Sequence, residues 1–577
     1  MKDLSYFQMR AHLYPREKEL TADVKFTELA ELWFCSDKNV KRKIKQYVQE
    51  GKLEYLPGNG RGRPTIITFF QPFQVEIDSE VKKLIKENNL ESLIKMMQLP
   101  IPKLWVSNVS KEIQSLFGYY SEGESTDVLK TFIKRKFTTL DPAHASANVE
   151  MFLIHQIADS LLVYDPESDQ VKPHIAHHWE IPDDGRTWVF HLRKGVRFHN
   201  GQLLTSEDVK YTFERIRSLS SQHDWLVQDI EEIDCPSPFK ICITLKKPNQ
   251  FFLRYVCSHN LAILPKNVPF KEENWIGTGA FELVRKTDDL VVLKANDNYF
   301  LSRPFIDEIQ IYYFPFGTNQ SLRYNLLNKE ENAATTVKSF TDVGFRCLIF
   351  NFKKNTIVHN PFFREAMFNL LDMRKVWNDL ERSNLLEASS YFYWNSKCPV
   401  KSINAVPALL QKADYNGEVL TINVLNQPSF LEDAKWLQKE AKKVNLNIQI
   451  KTFHLGELYE NELDQADLLL MGEVASNDYH LSFIGAFLNR TLVFNRYLLP
   501  SHLEKLQGYF DLMQQEESKD KREYWIKQAE NYIKDENLFI YLYHPVKQRT
   551  FHSMLHNIQT DSFGLIDYKK LWINGKA

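Results

Sequence analysis

Between Cys35 and Phe70 the chain carries eight cations: Lys38, Lys41, Arg42, Lys43, Lys45, Lys52, Arg61 and Arg63. The same window holds three anions, Asp37, Glu50 and Glu54. The whole protein has a net charge of −2, so this local excess of cations is the footprint expected of a phosphate-binding surface. Helical spacing sorts the residues. At about 100° per residue, Val40, Ile44, Tyr47 and Val48 share one side. Lys38, Asn39, Lys41, Arg42, Lys45, Gln46 and Gln49 fall outside that stripe. Cations and amides are the groups that contact phosphates and base edges. Beyond them, PGNGRGRP separates the strand-like runs LEYL and TIITF. Its glycines make the loop adaptable, and Arg61 and Arg63 would carry its tip to phosphates or a minor groove.

The elements that must position these groups are legible nearby. Phe26, Leu29, Ala30 and Trp33 recur at helical spacing, and Thr27 is placed to cap the first turn. CSDKN is a short break, with Ser36 at the cap position of the second helix, and Gly51 ends that helix. Two helices, a tight turn and a basic hairpin read as a winged helix whose second helix enters the major groove of double-stranded DNA. A helical segment follows over about Glu76–Met97, with Val81, Leu84, Ile85, Leu93, Ile94 and Met97 on one side. SEGESTD (Ser121–Asp127) is polar and reads as a linker.

At 577 residues, several domains are expected, because single cores rarely grow beyond about 250–300 residues. The N-terminal stretch MKDLSYFQMRAHLYPREKEL has no signal-peptide core, and no run approaches the length of a membrane span. A cytoplasmic protein without a membrane partner is the expectation. Six cysteines without C-x-x-C pairs suggest buried thiols rather than disulfides or zinc. HIAHH (His174, His177, His178) has the composition of a metal cluster but stands where a loop is expected, and no metal is assigned. No Gly-rich phosphate loop, Ser/His/Asp order or zinc-protease motif is present. Neither a cofactor nor an enzyme is therefore expected.

Further along, VFHL is strand-like, Gly185, Gly195 and Gly201 suit turns, and Thr205 with Asp208 forms a capping-box start for SEDVKYTFERI. EVLTINVL, SFLEDAKWLQKEAKKV and LNIQIKTF alternate strand, helix, strand, with ADLLLMGEV as a further strand. That order argues for an α/β lobe with a partly parallel sheet.

From about Asp127 onward, several segments resemble family 5 extracellular solute-binding proteins, of the peptide and nickel type. They are TTLDPAHA, QIADSLLVYDPESDQVKPHIAHHWEI, the stretch through HLRKGVRFHNGQLLTSEDVKYTF, IGTGAFELV (Ile276–Val284), FNFKKN and NPFFREAMFNLLDMRKV. The first block resembles the N-terminal domain of the SgrR family of regulators. The resemblance implies an α/β protein: an N-terminal winged helix-turn-helix followed by a two-lobed, type II periplasmic-binding-protein-like clamshell. The expected boundaries are 1–100 for the DNA-binding part, 101–127 for a linker and 128–577 for the clamshell. Within the clamshell, lobe I covers about 128–345 plus the segment from about 530, and lobe II covers about 346–529.

The resemblance also implies a small-molecule effector in the interlobe cleft, of the sugar, sugar phosphate or short peptide class. Peptide-binding relatives place an aspartate at the end of a late strand to hold the peptide amino terminus. In the matching stretch GEVASNDYH, Ser476 stands at that position and Asp478 follows two residues on, so either the loop is shifted and Asp478 takes that role, or the ligand is not a free-amine peptide. Asp478, Tyr479, Tyr391 and Trp394 are the candidate ligand-binding residues, the last two within SSYFYWNS. This reading makes the protein a ligand-responsive transcription regulator, and it allows a homodimer. The alternative is the substrate-binding protein of an oligopeptide importer, which leaves the basic winged helix unexplained.

Overall fold

The computed structural model describes residues 3–573 apart from 59–64, 103–104, 106–116, 123–125, 134–135, 184, 314–334, 342, 383–384, 398, 455, 458–460, 553–554 and 557–566. Helix α1 (Ser5–Leu13), strand β1 (Thr21–Val24), helices α2 (Phe26–Leu32) and α3 (Asp37–Gln49), and strands β2 (Leu53–Leu56) and β3 (Thr65–Phe69) follow one another. The strands pair antiparallel in the order β1-β3-β2. This is a winged helix with the expected α2, α3 and hairpin. Gly51 has φ +67, a left-handed conformation that lets the chain leave α3 without Cβ strain. The hairpin tip, with Arg61 and Arg63, lies outside the described residues.

Several local expectations need correction. Thr27 sits inside α2, whose cap position is Lys25, so it does not cap. Ser36 occupies the cap position of α3, but its side chain makes no capping bond. Val48 is 38% exposed because it lies a full 100° step past Tyr47, off the centre of the buried stripe. The segment read as one helix is two, α4 (Phe73–Lys86) and α5 (Leu90–Met97). Asn88 breaks it with φ 52, and the Asn89 side chain accepts from the Ser92 N–H at 3.1 Å to start α5. Of the cysteines, Cys257 and Cys347 are buried, whereas Cys35, Cys235 and Cys242 are half-buried; all five are free thiols, and Cys398 lies outside the described residues.

One residue ties the winged helix together. Arg10, fully buried on α1, donates to Glu17 at 3.0 and 3.1 Å, to Glu76 of α4 at 2.8 Å and to the Gln71 carbonyl at 2.8 Å. Its guanidinium also lies 3.7 Å from the Phe69 ring centroid at the end of β3.

Lobe I contains a five-stranded sheet in the order Phe281–Lys286, Leu290–Ala295, Glu308–Tyr313, Thr126–Ile133, Gly118–Glu122. Ser121 pairs with Asp127 across the last two strands, so part of the expected linker is a hairpin of this sheet. Its polar composition is overridden by ladder bonds that extend an existing sheet edge. A second, antiparallel sheet spans Ala176–Asp183, Thr187–Leu192, Lys240–Leu245 and Ile230–Ser237, with helix Ser206–Ser218 in contact with it. Thr205 and Asp208 form the expected capping box. Within IGTGAF, a Cβ on Gly277 would lie 2.2 Å from the Ile157 carbonyl oxygen. Only glycine permits that approach, so the motif is scaffold.

The winged helix is not tethered loosely. Leu290, Val292 and Tyr312 of the five-stranded sheet belong to the same apolar core as α5. Glu91 pairs with Arg285 at 2.7 Å and Gln98 donates to Asp289 at 2.9 Å.

Lobe II is built on a sheet whose strands Val419–Leu425, Asn447–Phe453 and Leu468–Val474 run parallel, with helix Pro428–Lys443 between the first two. Gly344–Phe350 pairs antiparallel with Leu468–Val474 and with the long strand Phe539–His552. The placement of everything after about 530 in lobe I is therefore corrected. FIYLY (Phe539–Tyr543) is buried on both faces, which suits an interior strand of lobe II. Tyr568 and Leu571 join the lobe I core instead.

Candidate nucleic-acid interface and interlobe site

On α3, Val40, Ile44 and Tyr47 are buried, and Lys38, Asn39, Lys41, Arg42, Lys45, Gln46 and Gln49 are all exposed. The helix thus presents the expected polar face. Two cations of the basic window are internally neutralised: Lys43 by Asp3 at 3.2 Å and Lys52 by Glu50 at 2.6 Å. Lys38, Lys41, Arg42 and Lys45 have no ion pair among the described residues. Gln46 donates its amide to Glu50 at 2.8 Å, so it would exchange that bond on contacting a base or phosphate. Four uncompensated cations on an exposed helix of a winged fold can displace counterions from a duplex.

The second site is the seam between the lobes. Arg254, on the short lobe I helix Phe252–Tyr255, donates to both carboxylate oxygens of lobe II Asp478, at 2.5 and 2.7 Å. It also donates to Asp169 at 3.0 Å and lies 3.4 Å from the Tyr164 ring centroid. Arg522, on lobe II helix Lys519–Asp535, pairs with Asp169 from the other side. Four alternating charges therefore stitch the lobes together. Tyr255 adds an acceptor for the Gln514 amide at 2.9 Å. The indole of Trp225 packs so closely on Gly485 that a Cβ there would sit 3.0 Å from its ring.

Of the two alternatives left open for Asp478, this network weighs against its holding a ligand amine. Its carboxylate is buried, saturated by Arg254, and caps helix Tyr479–Leu488 through the Leu481 N–H at 2.9 Å. An intramolecular guanidinium fills the place foreseen for a ligand amine. Ser476 is exposed and bonds Ser482. Tyr391 is 1% exposed, packed behind Phe392 rather than lining open space. Trp394 is 43% exposed, stacks on Phe392 and meets Tyr479 at 5.3 Å. The structure thus brings Trp394, Tyr479 and Asp478 together and sets Tyr391 one layer deeper. Arg254 and Arg522 were not foreseen. Neither stands in a motif, and each meets its partner hundreds of residues away.

His174 donates its Nε2–H to Asp159, 2.9 Å away, where Lys569 and Tyr299 also donate. Burial alone would raise the Asp159 carboxyl, but Lys569 and His174 outweigh it and hold it far below the usual range. This cluster clasps the C-terminal segment onto lobe I. His177 and His178 are exposed on the strand Ala176–Asp183, apart from His174. Among the described residues, no group of three His, Cys, Asp or Glu is placed to hold a metal ion, and no helix is long and apolar enough to cross a membrane.

The profile of bacterial extracellular solute-binding proteins, family 5, matches residues 170–491, and that of the sugar transport-related sRNA regulator N-terminal domain matches residues 3–118. YhjP of Bacillus subtilis (strain 168), an uncharacterized protein, is 25% identical over 97% of both chains. The HTH-type transcriptional regulator SgrR of Escherichia coli (strain K12) is 23% identical over 57% of this chain, and the chain spans 58% of its length. Among solved structures, a dipeptide-binding protein from Pseudoalteromonas sp. SM9913 in complex with Met-Leu aligns with TM-score 0.67 and 17% identity, covering 78% of this chain and all of that one. NikZ from Campylobacter jejuni in complex with Ni(L-His) aligns with TM-score 0.64 and 19% identity, over 78% of this chain and 99% of its own.

Proposed function

The chain belongs to the family 5 solute-binding proteins and carries an SgrR-type N-terminal domain, and from that premise we propose that it is a DNA-binding transcription regulator whose clamshell senses a small molecule. One observation supports this above the others. The winged helix shares an apolar core with the five-stranded sheet of lobe I, and lobe II meets lobe I across a seam that holds a buried ion-pair network as well as apolar packing. The DNA head is thus packed directly on lobe I, so a ligand-driven change at the seam between the lobes can reach it through that shared core. A ligand shifts such an equilibrium only by its differential affinity for the two arrangements. The importer reading lacks a role for the four uncompensated cations of α3.

Lys38, Asn39, Lys41, Arg42, Lys45, Gln46 and Gln49 are the proposed contacts of α3, and Arg61 and Arg63 those of the wing. Trp394 and Tyr479 are the proposed walls of the effector site. Native mass spectrometry of the protein purified from cells, paired with binding to genomic duplex fragments, tests the whole. A retained metabolite whose removal changes the affinity for one fragment is the expected result. Binding no tighter to any fragment than to competitor polyanion, with and without metabolite extract, defeats the reading.

Two smaller predictions belong here. Arg42→Ala and Lys45→Ala should each weaken operator binding, and where the lost contact is to phosphate the slope of log affinity against log salt should fall by about 1. Unchanged affinity in both would remove them from the interface. Arg61→Ala with Arg63→Ala should weaken duplex binding while effector affinity stays at the wild-type value, measured by titration of each ligand. A parallel loss of effector affinity would point away from a wing role.

A further inference from the structure

One residue of the winged helix is turned out of the fold. Phe34 follows α2 and precedes α3, and it is 96% exposed. A lone exposed apolar residue is ordinary. This one also has a left-handed backbone, φ 48, in which the Cβ of an L-residue crowds the carbonyl oxygen that follows it.

The turn imposes that conformation. The Phe34 N–H donates to the Glu31 carbonyl at 3.2 Å, and the Cys35 N–H donates to the Ala30 carbonyl at 2.9 Å. That pair of bonds closes a helix in the Schellman manner, with glycine the usual residue at the left-handed position. A phenylalanine stands there instead. Its neighbour is anchored inward: the Trp33 indole donates to the Ser5 carbonyl at 3.1 Å, and its ring meets Tyr47 at 6.4 Å. Among the described residues the Phe34 ring meets no other ring. The left-handed backbone and the unburied ring both count against phenylalanine, so the fold gains nothing from it here. Outliers of this kind gather at functional positions.

Its place in the chain points to the partner. Asp37 begins α3 three residues on, so the Phe34 Cα lies within about 11 Å of the Asp37 Cα by chain geometry alone. The N-terminal residues of a recognition helix are those that meet base edges in the major groove. Ser36, Asp37, Lys38 and Asn39 are all exposed, and the Ser36 hydroxyl makes no capping bond. Asp37 puts a carboxylate at the same corner, which disfavours a phosphate there and leaves the ring to meet the bases. The apolar feature of the major groove is the thymine C5-methyl group, on which a phenylalanine ring packs well. We propose that Phe34 is a specificity-determining residue that packs on a thymine methyl group in the groove ahead of α3. This rests on the DNA-binding reading above and gives it a base preference.

The test uses the full chain, wild type and Phe34→Gly, and the tightest-bound genomic duplex. That duplex is remade with each thymidine in turn replaced by deoxyuridine, which pairs alike but lacks the methyl group. For wild type, at least one replacement is expected to weaken binding by about threefold or more, as the loss of one buried methyl group requires. Phe34→Gly should bind the unmodified duplex about tenfold more weakly than wild type, and that same replacement should no longer matter. The slope of log affinity against log salt should stay at the wild-type value, because no phosphate contact is lost. The melting temperature should equal or exceed that of wild type, since glycine relieves the left-handed turn. Indifference of wild type to every replacement, or undiminished sensitivity in Phe34→Gly, overturns the proposal and leaves the regulator reading intact. A variant that melts earlier, or whose mass in solution changes, also overturns it, because the ring then serves a protein contact. A wild type with no preferred duplex defeats the regulator reading and the proposal with it.

Discussion

Replacing Arg254 by alanine should lower the unfolding free energy of the clamshell by about 3–5 kcal/mol, because breaking a buried pair from one side strands the other charges. Arg254 is 5% exposed and bonds Asp478 through two nitrogens and Asp169 through the third. Without it, Asp478 keeps the Leu481 N–H but loses its cation, and Asp169 is left to Arg522 alone. Urea unfolding measures the loss. A double-mutant cycle with Asp478→Asn should return a coupling of at least about 1 kcal/mol, and independent, additive effects would show the contact to be incidental.

The acid limb carries a second signature of the same network. Burial alone would raise the Asp169 carboxyl, but the Tyr164 hydrogen bond and the charges of Arg254 and Arg522 outweigh it and hold it below its ordinary value. A carboxyl depressed in the folded state contributes stability that is present above its unfolded pKa of about 4 and is lost as pH falls through the lower folded value. Wild type should therefore lose urea resistance below about pH 4. Arg254→Ala, with Asp169 less depressed, should show a shallower fall over that range. Parallel acid limbs would mean that Asp169 draws nothing from Arg254.

Arg10→Ala should have a comparable effect in the winged helix, about 3–5 kcal/mol, for the same reason: Glu17 and Glu76 would remain beside an apolar core without their cation. A domain is stable by only about 5–15 kcal/mol in total, so this can unfold the head. Hydrogen exchange on the full chain is the measurement. Protection should fall over α1, α3 and α4 and persist over the lobe II strand Val419–Leu425. Duplex binding should disappear with it. Arg42→Ala, by contrast, should weaken binding with exchange unchanged. Arg10→Lys should recover only part of the loss, since a lysine cannot span Glu17, Glu76 and the Gln71 carbonyl with one ammonium. Full protection in Arg10→Ala would refute the role given to this residue.

How much of this was visible beforehand follows from how far each feature reaches along the chain. Helices α2 and α3 repeat their apolar residues at helical spacing, and the hairpin alternates around glycines, so a short window suffices. The Thr205–Asp208 capping box and the strand–helix–strand of residues 419–453 are local in the same sense. Helix α1 was missed because it is buried on nearly every side, from Ser5 through Tyr6, Phe7, Met9, Arg10 and Ala11 to Leu13, and so has no polar face to mark its period. The break at Asn88 was missed because the apolar side continues across it, while the decision rests on one left-handed residue.

The seam was hidden for a different reason. Arg254 and Asp478 are 224 residues apart, and Arg522 and Asp169 are 353 apart. Asp478 by its neighbours in sequence looks like a ligand anchor, and by its neighbours in space it is already neutralised. The amino-acid order alone settled α2, α3, the hairpin and the strand–helix–strand of residues 419–453, which surface of α3 is cationic and which domain follows which, because these depend on residues a few positions apart. Only the tertiary structure decided which charges are spent on one another and which remain for a ligand. Coulomb and hydrogen-bond energies depend on separation in space, and folding sets that separation independently of distance along the chain.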